Sequence, residues 1–510
     1  MDRSKTLRLE QGGFPPRRGE IEVCLVYPNT YEVGMANLGF QLVYRMLNQM
    51  EGVVCERAFF DGKVPVALES GRQLREFDIV GFSLSYELDF LNILKALRAA
   101  RIPAYSEQRR GLPVLMLGGV AAFSNPLPYA PFFDLVCIGE AEGVLEAAMD
   151  IFKKSRQKPG FLEDVSKTNG IWVPGSGKRK VRRVWAPDLN AIHSTAVCIS
   201  PLMHFKNMLL VEVERGCPFR CRFCLATQAY KPYRFKTPKK LIEEIEESPV
   251  GARSVGLIGA AISEVPELSD LLNGIPGREA IASSSLRLDR VQPDLLGLLV
   301  KRGLTRITVA PEAGTERLRR IIDKRIEDDR ILELAVTATS LGVKRLKLYF
   351  MVGLPFETDD DASGIVELVR KVRRRYRGSL AVSLNPFVPK PHTPFQFHQV
   401  ESKEVLTRRT SLISNELRKT GVRLVVKSTR HAMLQAALSL GDEEIGEAVF
   451  RTIYSESKWT TTLRERGIDP ERYLGHKRID ASFPWDLVDF GLQGGELAKS
   501  YKAAQRLSRD

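Results

Sequence analysis

The stretch Cys217-Pro218-Phe219-Arg220-Cys221-Arg222-Phe223-Cys224 places three thiols at the spacing C-x3-C-x2-C. It follows Leu209-Leu210-Val211-Glu212-Val213-Glu214, which alternates like a β-strand, and the dipeptide Arg215-Gly216. Thiolates are soft ligands that suit zinc and iron–sulfur clusters, and both kinds of site usually take four protein ligands. No fourth thiol or histidine lies close by in the sequence. Three ligands on a four-iron cluster would leave one iron open to a further ligand.

The cysteine spacing, the strand-then-loop context and Phe223 before the last cysteine resemble the radical S-adenosylmethionine (SAM) superfamily. The resemblance implies a [4Fe-4S] cluster held by Cys217, Cys221 and Cys224. It also implies that the open iron binds SAM and that an electron from the cluster cleaves SAM to a 5′-deoxyadenosyl radical. A reductant such as a flavodoxin or a ferredoxin would supply that electron. The alternatives are a chance group of cysteines, a structural zinc site and a redox pair.

Length and composition bound the class of protein. A chain of 510 residues is long enough for about two to four domains. With 44% hydrophobic and 27% charged residues, its composition is that of an ordinary globular protein. No run approaches a membrane span and the polar N-terminus leads into no signal core, so we expect a cytoplasmic protein without a membrane partner. We expect buried free thiols at the four other cysteines, Cys24, Cys55, Cys137 and Cys198.

The first 151 residues predict an α/β domain. Residues 1–20 are polar and predict a loose lead-in. From residue 21 to 151, apolar strands alternate with helical spacings, which predicts a parallel, doubly wound (Rossmann-like) sheet. Ligands of such sheets bind in a crevice at the carboxyl ends of the strands, where glycines let the backbone approach a ligand closely. The candidate cofactor-binding residues at these strand ends are Gly81, Ser83, Gly118, Gly119 and Gly139.

The sequences D-I-V-G-F-S, L-G-G and D-L-V-C-I-G-E-A-E occur in this order before the cysteine motif. They resemble the cobalamin-binding domain of cobalamin-dependent radical enzymes over about residues 21–150, which implies a bound cobalamin. Many such domains carry D-x-H-x-x-G, whose histidine binds cobalt, but this chain has no histidine before His193. We therefore expect cobalamin without a histidine ligand from this domain. The alternative is a domain that retains the fold and holds no corrin.

The remaining chain predicts three further parts. Residues 152–205 predict a linker with a small hairpin between residues 171–173 and 181–185. Residues 206–400 contain six apolar strands separated by helices, which predicts a partial β/α barrel with the cysteine loop after its first strand. The chemistry of such barrels lies at the carboxyl ends of the strands. Residues 401–510 predict a helical C-terminal extension.

Small and polar residues follow the second and third strands of the predicted barrel. Gly259, Ala260 and Ala261 lie where, by resemblance, a glycine-rich segment meets the amino group of SAM through backbone carbonyls. Ser283 and Ser285 end the third strand, and their hydroxyls suit contacts to a ribose or a carboxylate. All five are candidate SAM-binding residues, although small residues also simply pack helices on strands and the serines could be an ordinary polar strand end.

The later strand ends carry four more candidates. Glu312 ends the fourth strand, where a carboxylate could bind ribose hydroxyls or the ammonium of SAM. Gly353 lies in a segment that resembles the one contacting adenine through its backbone. Lys390 and His392 belong to a proline-rich loop after the last strand and are candidate catalytic residues that could face the substrate or the corrin. A lone histidine is more often structural.

Two basic runs, at residues 178–183 and 370–377, accompany the net charge of +14. If the substrate is RNA, these runs are expected to form a phosphate-binding surface. A solvated surface is the alternative explanation, because charge runs usually face water.

The resemblances together imply a radical SAM enzyme, and with cobalamin a methyltransferase acting at an unactivated carbon. One alternative is a radical enzyme that rearranges a carbon skeleton or inserts sulfur. Sulfur insertion usually needs a second cluster, for which the N-terminal domain offers only three widely spaced cysteines. Another alternative is an RNA-associated binding protein with vestigial radical machinery. The substrate stays open between RNA, a peptide and a small molecule.

Overall fold

The computed structural model describes residues 2–177, 180–275, 280–283, 287, 291–455 and 457–509. Its first part contains, in chain order, α1 (Arg3–Leu9), β1 (Gln11–Gly12), β2 (Ile21–Tyr27), α2 (Tyr31–Gly34), α3 (Leu38–Gln49), β3 (Val53–Phe59), β4 (Ile79–Ser83), α4 (Asp89–Ala99), β5 (Val114–Gly118), α5 (Val120–Ser124), β6 (Leu135–Cys137), α6 (Leu145–Lys154), α7 (Lys158–Val165) and β7 (Ile171–Trp172).

Strands β2 to β7 form one sheet in the order β3-β2-β4-β5-β6-β7, with every pair parallel except β6 and β7. Alternate residues of β2 enter two different cores, Val23 and Leu25 on the side of α3 and α6, and Cys24 and Val26 on the side of α4. Both faces are therefore covered, which is why the strands are almost continuously apolar. The chain adds β3 to one side of β2 and β4 to the other, so the crevice of this Rossmann-like sheet lies at their carboxyl ends. The predicted doubly wound sheet is confirmed.

The N-terminal segment is not the loose lead-in that its composition predicted. Asp2 caps α1 by accepting a hydrogen bond from the backbone N–H of Lys5. Glu10 forms a buried ion pair with Arg57, with an N–O distance of 2.7 Å. A charge pair of this kind is invisible to local sequence pattern, because its partners lie far apart in the chain.

The barrel part contains β8 (Val181–Arg182), β9 (Cys198–Ile199), β10 (Met208–Glu212), β11 (Glu214–Arg215), α8 (Ala226–Ala229), β12 (Arg234–Phe235), α9 (Pro238–Glu246), β13 (Ser254–Ile258), α10 (Leu268–Gly274), β14 (Ala280–Ser283), α11 (Pro293–Lys301), β15 (Arg306–Glu312), α12 (Glu316–Ile321), α13 (Asp328–Ser340), β16 (Arg345–Val352), α14 (Asp359–Arg375), β17 (Ser379–Pro386), α15 (Lys403–Arg418) and β18 (Arg423–Val426).

Seven of these strands build the partial barrel. Strands β10, β13 and β14 form one parallel sheet, and β15 to β18 form another in sequence order. The predicted barrel is confirmed, but the predicted number of six strands is wrong. The additional strand, β18, pairs with β17 and lies beyond residue 400, where the sequence predicted helices.

The predicted hairpin in the linker is also wrong. Strand β7 pairs with β6 at the edge of the N-terminal sheet. Strand β8 pairs instead with β19 (Val488–Asp489), close to the end of the chain. Each half of the expected hairpin therefore finds a distant partner.

The last part of the chain is helical apart from β19, as predicted. It contains α16 (Thr429–Leu440), α17 (Glu443–Ser455), α18 (Trp459–Glu465), α19 (Glu471–Leu474) and α20 (Glu496–Leu507). Helices α16 and α17 pack on the N-terminal domain, where the Asn125 side chain donates a 2.7 Å hydrogen bond to the Gly441 carbonyl. Across the described part of the chain, no helix has the length and apolarity that a bilayer crossing requires.

Candidate active site

The cysteine loop lies between β11 and α8 and is anchored through Arg222, which is buried. The backbone N–H of Arg222 donates to the Ile322 carbonyl at 3.0 Å, and its guanidinium donates to the Ile321 carbonyl at 2.6 Å. Its own carbonyl accepts a 3.1 Å bond from the N–H of Phe395. The loop is thus held by the end of α12 and by the proline-rich segment after β17.

The three thiols lie close enough to influence one another. Burial, with a smaller contribution from the neighbouring thiols, raises the pKa of Cys217 to about 12 and that of Cys224 to about 11. Burial also raises the pKa of Cys221, whereas the positive charges of Lys324 and Arg287 lower it. Arg287 Nη1 lies 3.8 Å from Cys221 Sγ. Thiolates here therefore require nearby positive charge.

No group of three His, Cys, Asp or Glu side chains among the described residues is placed to hold a single metal ion. A four-iron cluster does not need three side chains around a single metal ion, because each thiolate binds a different iron atom. Three thiols on one loop, with Lys324 and Arg287 beside Cys221, would suit such a cluster and would leave one of its irons open.

Glu214 connects the cysteine loop to the predicted SAM segment. Its carboxylate oxygen Oε1 accepts a 2.6 Å hydrogen bond from the N–H of Ala261. A Cβ at Gly259 would clash with this carboxylate, which explains glycine there. Burial raises the pKa of Glu214 to about 7, although the N–H groups of Ala261 and Ala260 act in the opposite direction. The other oxygen, Oε2, is buried and has no hydrogen-bond partner among the described residues.

The other predicted SAM-binding residues have varied surroundings. The Ser283 hydroxyl is buried and finds no partner within the part of the chain that the structure describes, whereas Ser285 lies outside that part. Glu312 forms a 2.9 Å ion pair with Lys324, which also acts on the cysteine loop. Gly353 has a φ of +83°, a backbone conformation that favours glycine.

A cavity of about 640 Å³ lies between the N-terminal sheet and the mouth of the barrel. On the barrel side, the cavity is lined by Gly216 and Ala226, which lie on either side of the three cysteines. On the other side it continues between the sheet and helices α3 and α6. Seven candidate residues from the sequence line it: Gly81, Ser83, Gly118, Gly119, Gly139, Gly259 and Ala260.

The cavity wall is mainly apolar. Met46, Met116 and Met149 line the part between the sheet and the two helices, where a flat apolar group can pack. None of the described lining residues is a histidine. The cavity therefore fits a large, partly apolar cofactor that takes no imidazole ligand from the protein.

The glycines at the strand ends serve two different purposes. A Cβ at Gly119 would clash with the Leu84 carbonyl, and one at Gly139 would clash with the Val184 carbonyl, so both positions let the chain pass close to itself. A Cβ at Gly118 would have its nearest neighbour at 3.9 Å. At Gly118, then, the missing side chain leaves room for a ligand.

Ion pairs that the sequence analysis missed join the two domains at the rim of the cavity. Arg215, directly before Gly216 of the cysteine loop, binds Glu140 at 2.7 Å, Glu142 at 2.9 Å and Glu212 at 2.8 Å. Arg234 binds Glu140 at 2.6 Å. The sequence did point to the two carboxylates, since Glu140 and Glu142 lie at the end of the D-L-V-C-I-G-E-A-E run. Their partners could not be read from local sequence.

The two catalytic candidates of the proline-rich loop do not line the cavity. Lys390 forms an ion pair with Glu87 of the N-terminal domain, and Glu87 also accepts a 2.9 Å bond from the Gln435 side chain. His392 is buried, with Nε2 at 2.9 Å from the Ser124 carbonyl and its ring stacked on Phe490. Burial lowers the pKa of His392 to about 3. Both side chains are used in contacts within the fold, and a role for them toward the substrate or the corrin stays a prediction.

Much of the basic sequence is used within the fold. Arg183 is buried and donates to the Lys231 carbonyl. Arg370 pairs with Glu416 at 2.6 Å, and Lys371 pairs with Asp328 at 3.2 Å. Residues 178–179 lie outside the described residues. These contacts reduce the charge that the two runs can offer to RNA.

Two family models match the chain. One, described as radical SAM proteins, N-terminal, covers residues 39–174, and the other, the radical SAM superfamily, covers residues 211–369. An uncharacterized protein of Methanocaldococcus jannaschii is 29% identical over 457 residues, which is 89% of this chain and 96% of that protein. An anaerobic magnesium-protoporphyrin IX monomethyl ester cyclase of Cereibacter sphaeroides is 25% identical over 312 residues, covering 55% of this chain. The chain spans only 47% of the cyclase.

Among solved structures, the cobalamin-dependent S-adenosylmethionine radical enzyme OxsB, with aqua-cobalamin and SAM bound, has a TM-score of 0.53 and 14% identity. The match covers 88% of this chain and 62% of OxsB. At this identity the likeness shows a shared fold. The chain belongs to the radical SAM superfamily, as an enzyme that combines the barrel of that superfamily with an N-terminal domain like that of a cobalamin-dependent member.

Proposed function

We propose that this enzyme binds SAM and a [4Fe-4S] cluster at the cysteine loop, and a cobalamin in the cavity, to methylate an unactivated carbon. The observation that carries the proposal is the cavity itself. One cavity of about 640 Å³ is lined both by the ends of the N-terminal strands, at Gly81 and Gly118, and by the SAM segment, at Gly259. A cofactor in it would lie beside the SAM site.

Residues of the chain have separate tasks in this proposal. Cys217, Cys221 and Cys224 would hold the cluster, which would supply the electron for the cleavage of SAM. Gly259 and Ala260 would hold the amino group of SAM through their backbone, and Glu214 fixes the chain directly after them by accepting a hydrogen bond from the N–H of Ala261. The apolar wall formed by α3, α6 and the sheet excludes water from the cofactor. Because none of the described lining residues is a histidine, this part of the chain would offer the cobalt no imidazole.

A reaction without methyl transfer is the second candidate. The likeness to an enzyme named as a cyclase favours it, since ring closure needs no methyl donor. Sulfur insertion has less support, because Cys24, Cys55 and Cys137 are buried in the N-terminal sheet and burial raises the pKa of each.

The test of SAM cleavage uses protein reconstituted anaerobically with iron and sulfide. Wild type is expected to bind about four irons and to release 5′-deoxyadenosine from SAM with dithionite, since three thiolates suffice for a site-differentiated cluster. Changing Cys217, Cys221 and Cys224 to Ala is expected to abolish both. Cys198→Ala, which removes a buried thiol outside the loop, is the control and should retain both. 5′-Deoxyadenosine from the triple variant would overturn the assignment.

The test of cobalamin binding counts cobalt after incubation with hydroxocobalamin and gel filtration. Gly118→Leu is expected to lose cobalt but keep iron, because its side chain would extend into the cavity. Gly111→Leu is the matched control, since nothing lies within 4 Å of a Cβ there. Wild type that retains no cobalt removes the methyltransferase proposal. Nitrogen hyperfine splitting from a protein imidazole in the cobalt(II) spectrum contradicts the predicted ligation.

A further inference from the structure

The exposed face of helix α20 carries a stripe of positive charge. Lys499, Lys502 and Arg506 are spaced i, i+3 and i+7, so they lie on one side of the helix, and all three are exposed. The opposite face is buried through Tyr501 and Ala504. This helix therefore presents cations to solvent while its other face packs against the protein.

The protein surface under α20 is the cysteine loop. Arg222, between the second and third cysteines, donates from Nε to the Ser500 hydroxyl at 3.2 Å. Phe223 packs against the same apolar cluster that contains Tyr501 and Ala504. The cationic stripe thus lies on the outside of the element that covers the cysteine loop.

Two further cations extend the stripe toward the loop. Arg220, between the first and second cysteines, is exposed. Arg320 is exposed at the end of α12, and its carbonyl accepts a 3.2 Å bond from the Arg222 guanidinium. Within the described part of the chain, none of the five side chains in this surface has an ion-pair partner, unlike Arg370 and Lys371 of the other basic run.

This surface suits the delivery of electrons. Electron tunnelling weakens steeply with distance, so a protein donor must approach the surface nearest the cluster. The other side of the cysteine loop, at Gly216 and Ala226, faces the cavity between the two domains, which the proposed cofactors would occupy. A patch of one charge also raises the association rate of a partner of opposite charge.

We propose that Lys499, Lys502 and Arg506, with Arg220 and Arg320, form the docking surface for an acidic one-electron donor protein. The proposal rests on the proposed function, because it presupposes a cluster at the cysteine loop. In the transfer, the reduced flavin or iron–sulfur centre of the donor loses one electron and the cluster gains it. No bond is formed between the two proteins.

The experiment measures reduction of the reconstituted cluster by stopped-flow absorbance, with an acidic flavodoxin in its hydroquinone form as the donor. The variant changes Lys499, Lys502 and Arg506 to Glu. The control changes Arg374, Arg375 and Arg377 to Glu, an equal change in charge on exposed residues around the end of α14. Dithionite, a small reductant that needs no docking surface, is the second donor for all three proteins.

We expect the α20 variant to lose about tenfold or more of its second-order rate with flavodoxin at low salt, and most of its salt dependence. Its rate with dithionite and the rates of the control should match wild type. Equal flavodoxin rates for wild type and the α20 variant, or equal losses in the variant and the control, overturn the docking surface. Failure of wild type to hold a cluster or cleave SAM with dithionite overturns the proposed function, and the docking surface with it.

Discussion

The carboxyl group of Glu214 lies in a buried place where its ionisation costs free energy. It is buried beside the cysteine loop, and only one of its oxygens finds a hydrogen-bond donor among the described residues. Burial therefore raises its pKa to about 7. Because the folded protein binds this proton more tightly than an unfolded chain does, the contribution of Glu214 to stability is fully present below about pH 4.5 and is lost as pH rises through about 7.

Glu214→Gln is expected to remove this part of the pH dependence. A raised pKa of this size corresponds to about 3 kcal/mol between the two limits. The melting temperature of the anaerobic apoprotein, measured from pH 5 to pH 7.5, should fall more steeply for wild type than for Glu214→Gln. Glu333→Gln, at an exposed glutamate, should keep the wild-type slope. An identical slope for wild type and Glu214→Gln would contradict the buried, protonated carboxyl.

The role of a single residue can be predicted from sequence when its partners lie near it in the chain. The placement of the three cysteines on one loop could be predicted because their spacing is local, and the placement of the glycines at strand ends because each ends an apolar run. Glu214 could not, because its partner, Ala261, belongs to another strand end. The interdomain role of Lys390 also depends on a distant residue, Glu87.

At the scale of elements, the parallel strands were predicted well because strands covered on both faces are continuously apolar. The missed strand β18 is an edge strand without a fully buried residue, so its sequence carries no such signal. The false hairpin came from the turn-forming residues 174–177, which separate two strands that pair elsewhere. Local turn chemistry shows that the chain bends, and tertiary contacts decide which strands pair.

A double-mutant cycle measures whether the ion pair between Lys390 and Glu87 stabilises the fold. Lys390→Met is expected to destabilise the protein by about 3 kcal/mol, because it leaves the carboxylate of Glu87 buried without its counter-charge. Adding Glu87→Gln should recover most of that loss, since no buried charge then remains and Gln435 can still donate. Midpoints of chemical denaturation for the two single variants, the double variant and wild type complete the cycle. Losses that simply add would show that the two side chains do not interact.

Over the whole molecule, the C-terminal helices make one core with both α/β domains. Phe90 of the N-terminal domain, Ala229 after the cysteine loop and Ala437 of α16 belong to one buried cluster. The sequence predicted helices in this region, but helical spacing does not state which surface a helix covers. The cavity depends on this arrangement, because its two walls belong to domains that the C-terminal helices hold together.

Arg215 offers a test of how the two walls are held. Its guanidinium binds three carboxylates, from both domains, and all four side chains are largely buried. Arg215→Met is expected to cost about 3–5 kcal/mol, because Glu142 and Glu212 are left without a cation. Arg330→Met, which removes an exposed pair with Glu333, should cost about 1 kcal/mol or less. Thermal melting of the apoproteins measures both.

Hydroxocobalamin tests whether the cofactor binds between the two walls. A ligand that binds only the folded protein stabilises it by about 2.7 kcal/mol at a hundredfold excess over its Kd. If the cofactor lies between the walls, it should raise the melting temperature of wild type and recover much of the loss in Arg215→Met, since it then supplies contacts to both domains. Gly118→Leu, with its cavity filled, should gain nothing from the ligand. An equal gain for Gly118→Leu and wild type would mean that cobalamin binds outside this cavity, and a melting temperature of Arg215→Met equal to that of Arg330→Met would mean that Arg215 does not hold the domains together.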